Sequence, residues 1–178
     1  MKTTANWIAR GTWIAVIIAT IIYGCTRPST KPIANGSPAP RFTFNDAYGK
    51  PVRLSDYRGR VLVLCFWSSS YSPCDDALSN MNTVAESFKG QDVAFVGVNI
   101  WGNRDEFQDY VTKHPRLNSI RLVYDPLPQG ADITLRRYGV DGFPMLMLVN
   151  KEGVVIANSI CWDQSSLTYA VNWGLGQK

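Results

Sequence analysis

Residues 61–76 read VLVLCFWSSSYSPCDD, and the reading of this stretch decides the fold. Val61 to Trp67 is an unbroken apolar run, the pattern of a strand buried on both faces of a parallel sheet. Three serines and Tyr71-Ser72 interrupt it, and helix-start signals follow at once. Pro73 suits a first helical turn, where its missing N–H costs nothing, and Asp75 and Asp76 complement the positive end of the helix dipole. Ala77, Leu78, Met81, Val84, Ala85 and Phe88 then recur at helical spacing up to Gly90, a natural stop. Val93 to Ile100 is a second apolar run. Strand, helix and strand in this order make a right-handed crossover between parallel strands.

On the N-terminal side, Phe42 and Phe44 alternate with polar residues up to the turn Asp46-Ala47-Tyr48-Gly49, and Val52 and Leu54 follow, which predicts a short hairpin. On the C-terminal side the pattern predicts a helix over Arg104–Lys113, ended near Pro115, a short strand over Arg121–Tyr124 and a helix over Ala131–Tyr138. Met145–Val149 and Val154–Ile160 flank the turn Asn150-Lys151-Glu152-Gly153 as a second hairpin. A last helix runs from Gln164 to about Trp173, with Asp163 as its cap. The expected class is α/β, a mixed central sheet with helices on both faces in one domain.

A chain of 178 residues has one-domain length, and 46% hydrophobic with 18% charged residues is a globular composition. The net charge of +4 includes Lys2 and Arg10 of the N-terminal segment; setting these two aside leaves 16 basic against 14 acidic residues. No basic run is present beyond Arg53, Arg58 and Arg60, which read as a solvated face, so nucleic acid is excluded as a partner. Lys2 and Arg10 precede an uncharged, mostly apolar stretch from Thr12 to Gly24, the length of a signal-peptide core and short of a membrane span. Ile22-Tyr23-Gly24-Cys25 resembles a bacterial lipobox ending in a lipidated Cys25, although Tyr23 departs from the usual small residue. An uncleaved anchor over Trp7–Tyr23, interrupted by Arg10, is the alternative. Residues 1–25 are thus expected to be a signal or anchor segment, 26–38 a Pro-rich and Ser-rich tether, and 39–178 a domain outside the cytoplasmic membrane.

The domain resembles the TlpA/ResA-type, thioredoxin-like proteins of bacterial envelopes, within the wider redoxin (AhpC/TSA-related) grouping. Five stretches carry the resemblance: Gly36-Ser37-Pro38-Ala39-Pro40-Arg41-Phe42, Gly49-Lys50-Pro51-Val52-Arg53-Leu54-Ser55-Asp56, Phe66-Trp67 to Cys74, Val96-Gly97-Val98-Asn99, and Tyr138-Gly139-Val140-Asp141-Gly142-Phe143-Pro144. Each is weak alone; their shared order is what makes them specific. The resemblance implies a thioredoxin-like fold and thiol-disulfide exchange through a Trp-Cys-x-x-Cys segment that opens the first long helix. The first Cys is exposed at the helix N-terminus, where its pKa falls, and attacks a substrate disulfide; the second resolves the mixed disulfide. A cis proline, carried over to Pro144, shapes a groove for the substrate backbone.

Here Ser70 stands at the position of that Trp, Tyr71 at that of the attacking Cys, and Cys74 at the resolving position. A phenol with pKa near 10 forms no mixed disulfide, so dithiol exchange of the usual kind is not expected. Trp67, Tyr71, Pro73, Phe143 and Pro144 are the expected groove residues. Cys65, where relatives carry a buried Asp or Asn, and Cys161, at the end of the last strand, are candidate thiol partners for Cys74; the alternative for both is a small core side chain. A peroxidase would need Thr and Pro where Tyr71 and Trp67 stand. A copper carrier would need a second closely spaced Cys, and Leu78 occupies that place. Neither metal nor cofactor is expected, lone His114 reading as a helix-end residue. Two function classes remain: a redox factor acting through Cys74, and a monomeric non-enzymatic module that holds an extended polypeptide or thiol protein in the Pro144 groove.

Overall fold

Every residue of the strand Val61–Ser68 is buried, and the sheet is built around it. The computed structural model describes residues 31–125, 133–159 and 163–177. In chain order these form β1 (Thr43–Asp46), β2 (Pro51–Arg53), a 3-10 turn (Leu54–Tyr57), β3 (Val61–Ser68), α1 (Pro73–Ser87), β4 (Val93–Trp101), α2 (Arg104–Lys113), β5 (Arg121–Tyr124), α3 (Ile133–Tyr138), β6 (Met145–Val149), β7 (Val155–Ser159) and α4 (Gln164–Leu175). The strand order is β2-β1-β5-β4-β3-β6-β7. β3, β4 and β5 run parallel, while β1 and β2 at one end and β6 and β7 at the other are antiparallel additions.

The alternation of side chains along β3 divides the core. Val61, Val63, Cys65 and Trp67 face α1, α2 and α4, packing with Leu78, Met81, Phe107 and Leu167. Leu62, Leu64 and Phe66 face the other side, with Phe42, Phe44, Val52 and Tyr138 of α3. A strand apolar from Val61 through Trp67 is what a sheet covered on both faces requires. The hairpin β1–β2 closes on Asp46, whose carboxylate accepts the N–H groups of Tyr48 (3.0 Å) and Lys50 (2.9 Å) and pairs with Arg121 of β5 at 2.9 Å. Burial alone would raise the Asp46 carboxyl; the bonds from Arg121, Lys50 and Tyr48 outweigh it and hold the pKa below the usual value.

The helices begin where capping chemistry allows. Asn103 and Glu106 form a capping box at α2, with the Glu106 N–H donating to Asn103 Oδ1 at 2.9 Å. Asp163 caps α4 by accepting from the Ser166 N–H at 2.7 Å. Residues 131–132 and 160, expected at the ends of α3 and β7, lie outside the described residues.

The tether requires a correction. Residues 33–38 do not hang free of the domain but run along β7: Gly36 donates to the Val155 carbonyl (2.8 Å), Val155 donates to Ser37 (2.9 Å), and Asn158 Nδ2 donates to Ile33 (2.9 Å). These are mostly backbone bonds, which composition does not reveal. At the start of this run the chain lies so close to Gly139 (φ +64°) that a Cβ there would meet the Lys31 carbonyl, so only glycine fits.

Candidate functional site

The turn from β3 into α1 is held by backbone bonds and one buried amide. Tyr71 N–H donates to the Ser68 carbonyl (3.2 Å), Cys74 N–H to Tyr71 (3.0 Å) and Asp75 N–H to Ser72 (2.9 Å), so the chain is already winding when Pro73 opens the helix. Ser70 N–H reaches back to Ser68 Oγ at 3.3 Å. Asn99, buried at the end of β4, is oriented so that its amide oxygen accepts from Ser69 N–H at 3.2 Å while its nitrogen donates to the Trp101 carbonyl at 2.8 Å. One side chain thus ties the turn to the neighbouring parallel strand.

Beneath α1 lie two thiols without exposed surface. Cys74 points into the core from the first turn, and Cys65 faces the same cluster from β3, where its strand neighbours are Gly97 and Leu146. Burial pushes the Cys65 thiol far up, and the nearby Cys74 adds to the effect. Burial also raises Cys74; a hydrogen bond from the Ser68 backbone works against this, and the Asp75 charge works with it. Both thiols are therefore neutral near pH 7, and a neutral thiol is a poor nucleophile. Tyr110 of α2 completes the layer: its ring lies 4.5 Å from that of Trp67, and its hydroxyl donates to Asp75 Oδ1 at 2.6 Å. Burial and that bond both push the Tyr110 phenol up.

The surface above the thiols is aromatic. Tyr71 is 50% exposed in the turn, and Trp101, at the end of β4, is 54% exposed. Trp101 stands edge-on to Phe143, with ring centroids 5.2 Å apart. Phe143 is joined to Pro144 by a cis peptide bond, and Pro144 is buried. Met145 follows and pairs with Phe66, which brings the proline loop to the same end of β3 as the turn. Pro73 is exposed beside Tyr71.

Trp67 does not belong to this surface. Its side chain is wholly buried between β4 and α2, with Nε1 lacking a hydrogen-bond partner. The alternation of the strand points it into the core, away from any bound backbone. Cys25 and Cys161 lie outside the described residues. Among the described residues no group of three or more His, Cys, Asp or Glu side chains is placed to hold a metal, and no helix is long and apolar enough to cross a membrane. His114 caps the end of α2, stacked on Tyr110 with ring centroids 4.0 Å apart. A cleft of about 960 Å³ lined by Tyr57, Arg60, Phe88 and Arg121 lies at the opposite end of the sheet and contributes nothing to this site.

Three residues of the site escape sequence reasoning. Asn99 had a usable signal, a polar residue closing an otherwise apolar strand. Trp101 had a partial one, an aromatic at the end of that strand and shortly before a capping box. The pairing of Tyr110 with Asp75, 35 residues apart, had none.

Residues 35–158 match the model of the AhpC/TSA family. The chain belongs to that family. The thiol-disulfide oxidoreductase ResA of Bacillus subtilis is 28% identical over 159 residues, covering 88% of this chain and 86% of that protein. ResA of Geobacillus kaustophilus is likewise 28% identical, over 158 residues and 87% of each chain. Among solved structures, a candidate DsbE thiol:disulfide interchange protein from Chlorobium tepidum superposes with a TM-score of 0.68 at 26% identity, over 80% of this chain and 96% of that one. A pneumococcal exposed lipoprotein thioredoxin from Streptococcus pneumoniae, 24% identical, shares the fold with a TM-score of 0.65 over 75% of this chain and 99% of that one. The fold is thioredoxin-like, and this AhpC/TSA member falls among thiol-disulfide oxidoreductases.

Proposed function

We propose that this protein is a membrane-tethered, thioredoxin-like member of the bacterial envelope that holds an extended polypeptide rather than exchanging disulfides through a dithiol. The carrying observation is the burial of Cys74: the one described cysteine of the turn has no exposed surface and a raised pKa. Attack on a substrate disulfide needs an exposed thiolate, and the turn presents the Tyr71 phenol instead, at the position where relatives carry the attacking thiol. What remains is an aromatic surface of Tyr71, Trp101 and Phe143 beside the buried cis-Pro144, and we read it as the groove that takes the partner. Half-exposed aromatics beside a chain-accepting loop are the usual anchors for an extended partner. The tether reading rests on Lys2, Arg10, the apolar stretch from Thr12 to Gly24, and Cys25.

The test has two arms. The wild-type protein should show no insulin disulfide reduction, and its binding to a panel of extended peptides should weaken at least tenfold in Trp101→Ala and Tyr71→Ala variants that remain folded. Turnover abolished by Cys74→Ser would overturn the proposal and return the site to thiol chemistry. Peptide binding indifferent to both aromatic substitutions would remove the groove.

A further inference from the structure

Arg53, Arg58 and Arg60, a solvated face by sequence alone, gather with two more cations in the folded chain. A cleft of about 550 Å³ opens near the start of β3, where Leu62 pairs with Val149, and Arg41 and Lys151 line it together with those three arginines. The five side chains come from three separate places: the entry to β1, the run from β2 to β3, and the β6–β7 hairpin. Glu152 is the one acidic residue of the lining among the described residues. Lys151 has a partner outside the lining, Asp92 at 3.8 Å, and the nearby Asp56 carboxylate accepts the Arg53 N–H at 2.8 Å. Among the described residues none of the four arginines has an ion pair; Arg60 gives one guanidinium N–H to the Val93 carbonyl. Unpaired like charges around one concavity repel one another, and a concave surface of one sign focuses its field on whatever enters.

Backbone bonds frame this cleft without any ligand. Gly59 N–H donates to the Lys151 carbonyl (3.1 Å), Gly153 N–H to Asn150 (2.9 Å) and Ala39 N–H to Gly153 (2.9 Å), which ties the three contributing segments together. The floor is apolar, made by the buried side chains of Phe42, Leu62 and Val149. Tyr57 belongs to the same lining, 9% exposed, and its hydroxyl finds no hydrogen-bond partner. Buried polar groups are normally paired, so a donor stands uncommitted among the arginines.

Arginine forks match the oxygens of phosphate, and several forks around one point suit its higher charge better than that of a carboxylate. A concavity of this size takes a small organic molecule rather than a bare ion. We propose that this cleft binds a phosphate-bearing organic anion, its phosphate held by Arg41, Arg53 and Arg58 and its organic body laid over Phe42, Leu62 and Val149. The phosphate is the recognised group whether it belongs to a free phosphate ester or to the headgroup of an anionic phospholipid. The site lies at the other end of β3 from Tyr71 and is independent of any polypeptide bound there.

The test uses the full chain in micelles of dodecyl maltoside, an uncharged detergent, with amide hydrogen exchange of segments 53–60 and 150–154 read by mass spectrometry. The free-ligand arm adds sn-glycerol 3-phosphate; the lipid arm mixes phosphatidylglycerol into the micelles. Exchange in both segments should slow several-fold in at least one arm, and the effect should weaken as salt is raised. Slowing in the first arm alone fixes the source as a free ester, in the second alone as a headgroup, and in both as either. Arg41→Gln with Arg58→Gln should raise the concentration needed at least tenfold, whereas Arg116→Gln with Arg136→Gln, the same charge change on exposed residues elsewhere, should stay within twofold. Arg41→Lys with Arg58→Lys keeps the charge without the fork and should fall between the two, which separates lost binding from lost folding. No slowing in either arm overturns the site, as does slowing that survives the first pair or falls equally in the second. Succinate acting as well as glycerol phosphate overturns the choice of phosphate, and inorganic phosphate doing so overturns the organic body.

Discussion

Tyr110 donates its phenolic hydrogen to the Asp75 carboxylate over 2.6 Å, joining α2 to the first turn of α1. The bond is made above Cys74 and beside Trp67, so it braces the turn that carries Tyr71. Removing only the hydroxyl, by Tyr110→Phe, leaves the ring contacts with Trp67 and His114 in place. The expected cost is about 1 kcal/mol, since Asp75 is solvent-exposed and keeps water as a partner. Urea denaturation of the two proteins measures it. A loss above about 3 kcal/mol would mean that the ring packing, and not the bond, is what the substitution disturbs.

Thiol labelling should report on burial directly. With Cys161 replaced by Ser and residues 1–25 removed, Cys65 and Cys74 remain. Neither should react with a small thiol reagent under native conditions, and both should react after denaturation. Rapid native labelling of Cys74 would contradict its zero exposure and bring thiol chemistry back into the functional reading.

Stability should fall on the alkaline side. Cys65, Cys74, Tyr110 and Tyr138 all carry pKa values raised by burial in the folded protein. The unfolded chain releases these protons first, the thiols from about pH 8.5 and the phenols from about pH 10. Above those values the native state binds more protons than the unfolded state, and unfolding becomes easier with rising pH, by up to about 1.4 kcal/mol per pH unit for each group. The stabilisation is therefore complete below pH 8 and lost above it. A denaturation midpoint that stays constant from pH 8 to 10.5 would refute this assignment of proton occupancy.

Gly97 faces Cys65 across the β3–β4 ladder, and a Cβ there would come 2.8 Å from Leu122 Cδ2, 3.1 Å from Leu78 Cδ2 and 3.3 Å from Trp67 Nε1. Three side chains would have to move at once in a packed layer. Gly97→Ala should therefore destabilise by about 1–3 kcal/mol, the range for overpacked cores. Thermal and urea unfolding would show it. An unchanged midpoint would mean that the layer beneath α1 yields more easily than its burial indicates.

Tyr71→Cys should make the turn redox-active. The new thiol would lie at the N-terminus of α1, where the dipole typically lowers a thiol pKa to roughly 3.5–7.5, three residues before Cys74. Mass spectrometry after mild oxidation should find the two joined, and insulin reduction should appear. If they stay reduced, or if Cys74 pairs with Cys65 or Cys161 instead, the turn lacks the geometry argued for it.

Most of the fold was legible because its signals are local. Val61–Trp67 is apolar at every position, and α2 is bounded by a capping box at one end and Pro115 beyond the other. The site was legible only where it follows the chain, at Tyr71-Ser72-Pro73-Cys74 and Phe143-Pro144. Trp67 was expected at the groove, whereas strand alternation turns it into the core. Tyr110 contributes through Asp75 on another helix, a pairing that no single-chain pattern encodes, whereas Asn99 stood out as a polar residue in an apolar strand but its bonds to the turn did not. The docking of residues 33–38 was hidden because a Pro-rich segment reads as a spacer, while its bonds are made by the backbone.

That docking has a consequence for where the domain can be cut. β7 is the last strand of the sheet, and its outward backbone groups at Val155 are taken by Gly36 and Ser37. Pro32, Pro38 and Pro40 cannot donate to a further strand, so the segment finishes the sheet without offering a new template. A recombinant fragment beginning at Ala39 would leave this border bare, and a bare border recruits copies of itself. Such a fragment should self-associate in proportion to concentration, while one that keeps residues 31–38 stays monomeric.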